Sequence, residues 1–346
     1  MEFLTEYGLF LAKSVTLVVA ILLVVGGIVA MGQRQKPAGK GHIEVEKLND
    51  RYEDQCEMMR EAIEDPEALK KIHKEKKKRD KEEKKKAHKD GATKKARAFV
   101  IHFHGDIKAS AVENLREEVS CILSQATEED EVIVNLESSG GMVHSYGLAS
   151  SQLDRIKKQG IPLTVCVDKV AASGGYMMAC VADKVLAAPF AIMGSIGVVA
   201  QLPNFHRLLK KNDIDFEMLT AGEHKRTLTM FGQNTDKGRE KFMEDLEDTH
   251  QLFKQFVSEH RPQLDIAAVA NGDVWFGQRA LEQKLIDELC TSDEYLMNKA
   301  KDADVFEVSY VFKKSLPEKL GMAAQASVDR FLLSWLERLQ FSRFFS

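Results

Sequence analysis

Leu163-Thr164-Val165-Cys166-Val167, followed by Val170-Ala171-Ala172-Ser173-Gly174-Gly175-Tyr176 and then Met177-Met178-Ala179-Cys180-Val181-Ala182, is the passage whose reading decides the fold. The first run is apolar and of strand length, and the last reads as the start of a buried helix. A strand, a glycine-rich bend and a helix in succession are the building pieces of an α/β domain. Ser173 stands at the bend. A serine held at the end of an element presents its hydroxyl, and the amides that follow can stabilise a developing oxyanion. The plainer reading is a helix N-cap followed by close-packing glycines.

Outward from this passage the alternation continues. Phe99 to Phe103 reads as a strand and Ala111 to Gln125 as an amphipathic helix. Glu131 to Leu136 is a second strand, running into Glu137-Ser138-Ser139-Gly140-Gly141. His144 to Lys158 is a helix with Leu148, Leu153 and Ile156 inward, and Gly160-Ile161-Pro162 breaks it. Downstream, Lys184 to Ala187 and Ile196 to Ala200 are short apolar pieces, Phe205 to Asn212 a helix and Phe216 to Leu219 a strand. Lys237 to Glu259 and Ile266 to Ala270 are helical. Strands alternating with helices predict an α/β core over residues 98–310 with a largely parallel sheet.

The remaining chain is of a different kind. The 346 residues carry a formal charge of -4, yet Lys70 to Arg97 holds 15 basic and 5 acidic residues, net +10, which leaves -14 elsewhere. This run has almost no apolar face and no interleaved aromatics, so it reads as a charged spacer and not as a nucleic-acid surface. With residues 41–69, where Ile43, Val45, Leu48, Tyr52, Cys56, Met59 and Ile63 recur near helical spacing, it forms a highly charged helical linker over 34–97. Ser14 to Met31 contains no charge, and residues 9–31 are long enough to cross a bilayer. Glu2 and Glu6 replace the basic start of a secretory signal, so residues 1–33 read as an uncleaved membrane anchor. Arg34, Lys36 and Lys40 after the span argue locally for a cytoplasmic domain, although long domains escape that rule. Residues 311–346 place Val328, Phe331, Leu332, Trp335, Leu336 and Leu339 on one helical face, for packing, assembly or membrane contact. The five cysteines are scattered, and no motif calls for a metal or cofactor.

Four stretches fall at strand or loop ends of the core: Ser138-Ser139-Gly140-Gly141, Ala172-Ser173-Gly174-Gly175, Met193-Gly194-Ser195-Ile196-Gly197 and Gly222-Glu223-His224-Lys225-Arg226. Sites in α/β folds form at the carboxyl ends of strands, so these can converge. A lysine serves as base for a serine only where burial disfavours its charge.

With Ala-Ser-Gly-Gly-Tyr at 172–176, Gly-Ser-Ile-Gly-Val at 194–198 and a lysine 52 positions after Ser173, the chain resembles the signal peptide peptidase A family of membrane-bound serine peptidases, most closely its SohB-type branch. The resemblance covers the anchor, the charged region and the core. It implies a Clp-protease/crotonase-like spiral of ββα units that assembles into a homo-oligomer ring, with catalytic residues contributed within or between subunits. It implies Ser173 as nucleophile, Lys225 as general base, Ser195 as the group orienting the lysine, and the amides of Gly141 and Gly174 as the oxyanion hole. It also implies peptide substrates such as signal peptides or misfolded envelope proteins, a bacterial inner-membrane location with the catalytic domain in the periplasm, and activity favouring neutral-to-alkaline pH. Two departures stand out. The family's Ser-Pro-Gly-Gly is Ser138-Ser139-Gly140-Gly141 here, which loses the proline's fixed φ but keeps both glycines. The family's Gly-x-Tyr-Lys-Ser is Gly222-Glu223-His224-Lys225-Arg226 here. Rival readings are a histidine-based hydrolase, for which no Gly-x-Ser-x-Gly elbow is present, and a crotonase-like non-peptidase, either an acyl-transfer enzyme or a non-catalytic membrane scaffold.

Overall fold

The computed structural model describes residues 7–8, 10–11, 13–19, 41–65, 67, 69, 74 and 95–312. They divide between two compact units, one running from Ile43 to Tyr310 and the other made of the two chain ends. In the second unit residues 13–19 are helical and largely exposed. Among the described residues no helix is long and apolar enough to cross a membrane, and most of the anchor expected over 9–31 lies outside them, as does the amphipathic stretch beyond 312.

The first unit is built on a largely parallel sheet. Its strands are β1 (His42–Lys47), β2 (Arg97–Gly105), β3 (Glu131–Ser138), β4 (Leu163–Val167), β6 (Lys184–Ala187), β9 (Glu288–Leu289) and β10 (Asp304–Val311), in the order β1-β10-β2-β3-β4-β6-β9. The central strands are apolar on both faces, as a sheet covered by helices on each side requires. Phe99, Ile101 and Phe103 of β2 join Val132, Val134, Leu163 and Val165 on one face. Ala98 and Val100 join Ile133, Cys166, Leu186 and Val305 on the other. The first face is covered by α2 (Val112–Leu123), α3 (Val143–Lys157) and α4 (Gly174–Ala179). The second is covered by α1 (Leu48–Ile63) and α9 (Ser292–Asp302). The remaining helices are α5 (His206–Lys211), α6 (Asp236–His260), α7 (Ile266–Val269) and α8 (Gly277–Glu282).

The sheet forks at the end of β3. Val132 to Asn135 pair with β4, but Ser138 pairs with Ala171 of β5 (Val170–Ala172). β5 pairs in parallel with β7 (Ile192–Gly194), and β7 pairs antiparallel with β8 (Val274–Phe276). A short second sheet therefore branches from the main one, and the loops after β3 and β5 lie side by side at the branch.

Several expectations change here. Residues 42–47 are a strand and the helix begins at Leu48, so the segment read as helical linker from 41 contributes an edge strand and a helix to the core unit. Leu48 is fully buried, and the Asn49 amide bonds the Ala300 and Ala303 carbonyls at 2.9 Å each. Single apolar anchors at Leu48 and a polar one at Asn49 suffice, which a charge-rich sequence conceals. Phe216 to Leu219 forms no strand and is exposed. In α3, Leu153 and Ile156 are buried as expected, whereas Leu148 is 42% exposed.

Candidate active site

Ser173 closes β5 and precedes α4. Its backbone adopts φ 51° and ψ −120°, a left-handed φ that costs a non-glycine residue about 1–3 kcal/mol. Its side chain makes no capping hydrogen bond to the helix, so the N-cap reading does not account for it. Backbone bonds hold the strained turn: the Ser173 amide donates to the Gly194 carbonyl at 2.8 Å, and the Met177 amide to the Ser173 carbonyl at 2.9 Å. Ser195 follows Gly194 directly and has a left-handed φ of its own, 52°. Its amide donates to the Asp273 carbonyl at 2.6 Å. Two strained serines thus stand at the ends of paired strands β5 and β7.

The loop after β3 packs against this turn. Gly140 has φ 87°, and a Cβ there would come within 2.7 Å of the Gly174 nitrogen and 2.8 Å of the Ser173 Cβ. Only glycine fits at that contact. Gly141 lies against the Ile107 carbonyl, where a Cβ would overlap backbone atoms. Among the described residues no hydrogen bond occupies the amide of Gly141 or of Gly174. Both glycines line the same cavity as Ser173.

A buried relay fixes this loop. The Gly140 amide donates to the Ser138 Oγ at 3.1 Å, Ser138 Oγ lies 2.5 Å from Tyr146 Oη, and Tyr146 donates to the Asp106 carbonyl at 2.7 Å. Because the tyrosine's one proton is committed to Asp106, the Ser138 hydroxyl must donate to Tyr146. The Tyr146 ring also packs on Gly174, where a Cβ would meet its Cδ2 at 2.8 Å. One residue therefore packs on Gly174 and reaches the Gly140-Gly141 turn through Ser138.

Ser173 opens on a cavity of about 310 Å³. Its walls are Gly141, Val143, Gly147 and Ser151 on one side, Thr249, Leu252, Phe253 and Phe256 of α6 on the other, with Gly174, Met177, Gly197 and Val198 between. None of these side chains is ionisable, and no histidine is among them. α6 is pinned over the cavity by Arg261, which is 2% exposed and bonds both Asp287 oxygens at 2.7 and 2.9 Å. Asp287 in turn accepts from the Val185 amide at 2.7 Å, tying the helix end to β6.

Comparison with known proteins shows the family. Residues 2–153 match the profile described as Peptidase family S49 N-terminal, and residues 155–306 that of Peptidase family S49. The chain is 50% identical over 333 residues to "Probable protease SohB" of Haemophilus influenzae, covering 94% of each chain. It is 54% identical over 239 residues to the "Probable protease SohB" of Buchnera aphidicola subsp. Acyrthosiphon pisum, covering 69% of this chain and 71% of the relative. The chain belongs to peptidase family S49. Among solved structures, a mutant of a membrane-bound stomatin-specific protease in complex with a substrate peptide aligns with a TM-score of 0.40 at 13% identity, over 66% of this chain and 97% of that one.

In this S49 peptidase the structure brings Ser173, Gly141 and Gly174 to one cavity and sets Ser195 beside them through β5–β7 pairing. It does not bring Lys225 there. Lys225 lies in an exposed loop, and among the described residues its side chain makes no hydrogen bond or ion pair. Its neighbour Glu223 pairs instead with Lys237 at 2.7 Å. Sequence reasoning missed Tyr146 and the α6 wall. The second was signalled by Leu252, Phe253, Phe256 and Val257, an apolar stripe at helical spacing in a segment read as a helix with no part in the site.

Proposed function

We propose that this peptidase is a membrane-anchored serine endopeptidase working through a Ser–Lys dyad. The observation that carries the reading is Ser173 itself: a strained residue whose hydroxyl caps nothing and which opens on a cavity shared with Gly141 and Gly174, whose amides make no hydrogen bond among the described residues. Ser173 Oγ attacks the scissile carbonyl and passes its proton to the Lys225 amine. The oxyanion then forms at the Gly141 and Gly174 amides, and preorganised donors there stabilise it more than they stabilise the planar carbonyl. The proton next goes to the leaving amine, and water releases the peptide acid from Ser173. Ser195 orients the lysine.

An amine in water is well hydrated and stays charged, so the base needs covering. The Lys225 loop lies in a segment carrying exposed Val199, Leu202, Leu208, Ile214, Phe216 and Leu219. We infer that a second copy covers this segment, as in a spiral ββα core assembled into a ring, and that the lysine is desolvated in the assembly. Residues 9–31 hold the chain in the bacterial inner membrane with the core in the periplasm. Substrates are membrane-proximal peptides such as signal peptides or misfolded envelope chains.

Ser173→Ala and Lys225→Ala should each abolish cleavage of an unfolded peptide, and a fluorophosphonate probe should label wild type but not Ser173→Ala. Full activity in Lys225→Ala refutes the dyad, and equal labelling of both proteins refutes the nucleophile.

A further inference from the structure

Gly147 occupies the fifth position of α3, well inside a 15-residue helix. Glycine is among the least favourable residues for a helix interior, so its presence asks for a reason. Conformation does not supply one, because Gly147 is absent from the positive-φ glycines. Close packing does not supply one either. A Cβ at Gly140, Gly141, Gly174 or Gly175 would collide with neighbours, but a Cβ at Gly147 would meet nothing within 4 Å. What lies in front of Gly147 is the cavity that holds Ser173.

Val143, Gly147 and Ser151 follow one another at spacings of four and present one face of α3 to that cavity. Leu252 and Phe256 form the facing wall. An apolar space of about 150 Å³ is enough for a benzene ring, and this one measures about 310 Å³. Gly147 lines that space and a Cβ there meets no atom within 4 Å, so a side chain at position 147 would enter it.

We propose that Gly147 is a specificity-determining residue: it leaves the side-chain pocket beside Ser173 deep enough for a branched or aromatic apolar residue on the carbonyl side of the cut. This deepens the reading of Ser173 as nucleophile and rests on it. The pocket's lining is mostly apolar, with the Ser151 and Thr249 side chains its polar points, and none of its walls is charged.

The test uses the full-length protein in detergent and a peptide set differing only at that residue, Ala, Leu or Phe. Wild type should have a higher kcat/KM for Leu and Phe than for Ala. Gly147→Leu should lower the Leu:Ala and Phe:Ala ratios by at least about tenfold, within the range that one mismatched apolar contact commands. Gly147→Ala should lower the Phe:Ala ratio by about threefold and raise the Tm, because alanine is the better helix residue and finds free space. Ratios that stay within about twofold of wild type in both variants overturn the proposal, and so does a lowered Tm for Gly147→Ala, which would place packing atoms where the cavity is. Ser173→Ala separates the two levels. If it cleaves the set as well as wild type, the nucleophile assignment falls and the pocket assignment with it; if it is inactive while the ratios do not move, only the role of Gly147 falls.

Discussion

Replacing Tyr146 with phenylalanine removes a single oxygen, and the relay behind the oxyanion loop defines what that oxygen holds. Tyr146 is fully buried and Ser138 is 2% exposed. The change deletes the bonds to Ser138 at 2.5 Å and to the Asp106 carbonyl at 2.7 Å, and it leaves the Ser138 hydroxyl proton without its acceptor. A neutral hydrogen bond contributes about 0.5–1.5 kcal/mol, and a buried polar group left unpaired costs about 1–3 kcal/mol. The ring itself remains, so no cavity opens and the packing on Gly174 persists. A loss of about 2–3 kcal/mol follows, or about 4–10 °C in Tm for a unit of this size. The effect on rate comes through position. Ser138 also accepts from the Gly140 amide at 3.1 Å, and a freed hydroxyl lets the loop bearing Gly141 drift. Deleting one oxyanion donor outright costs about 10²–10³ in kcat, so loosening it should cost about 10–100-fold, with KM changing much less. Thermal melts with kcat and KM on one fluorogenic peptide measure both effects. A Tyr146→Phe protein with kcat within twofold of wild type would refute the relay as a positioning device, whatever its Tm.

Other consequences are open to simpler measurements. Glu118 is 6% exposed and accepts from the Tyr310 amide at 2.8 Å, and burial pushes its carboxyl up to about 7. The folded state then holds a proton that the unfolded chain releases, so stability falls as pH rises from about 4.5 to about 7, by at most about 3.5 kcal/mol. Glu118→Gln should flatten that slope and be the more stable protein at pH 8; urea titrations giving parallel pH profiles would sink the idea. Ser195 holds φ 52°, so Ser195→Gly should be more stable than Ser195→Ala by about 1 kcal/mol, and equal midpoints would show that the turn is unstrained. Mixing Ser173→Ala with Lys225→Ala subunits should restore part of the activity if the lysine acts on a neighbouring copy, whereas a dead mixture confines the dyad to one chain.

How far the sequence foretold this molecule depends on where the deciding contacts lie. β2, β3 and β4 were legible because strands buried on both faces are apolar throughout, and α2 and α3 because a buried helix face repeats at helical spacing. The short strands β5, β7 and β8 were not, since three residues carry no period. β1 was mistaken for helix because Ile43 and Val45 were counted into the helical run that follows, although their alternation with Glu44 and Glu46 is a strand signal, and because its pairing partner, β10, lies more than 250 residues away. At the site, Ser173 and the glycine turns were visible as motifs. Tyr146 was not, because its part depends on bonds to Ser138 and Asp106 that only the folded chain supplies.

The position of the site follows from the fork in the sheet. β3 is long enough to pair with β4 first and β5 afterwards, and the change of partner opens a gap in the sheet at which the loops after β3 and β5 lie side by side. Ser173 and the Gly140-Gly141 turn occupy that gap, with backbone bonds fixing the strained turn and glycines permitting the approach. The walls of the resulting cavity carry no ionisable group, so a proton acceptor has to enter from beyond them. The segment containing Lys225 is also the one that leaves Phe216, Leu219 and Val199 uncovered in a single chain. In the proposed assembly, covering by another copy would remove apolar area from water and desolvate the amine together. On this reading assembly is what completes the base, and the isolated chain holds the nucleophile and its oxyanion donors in readiness.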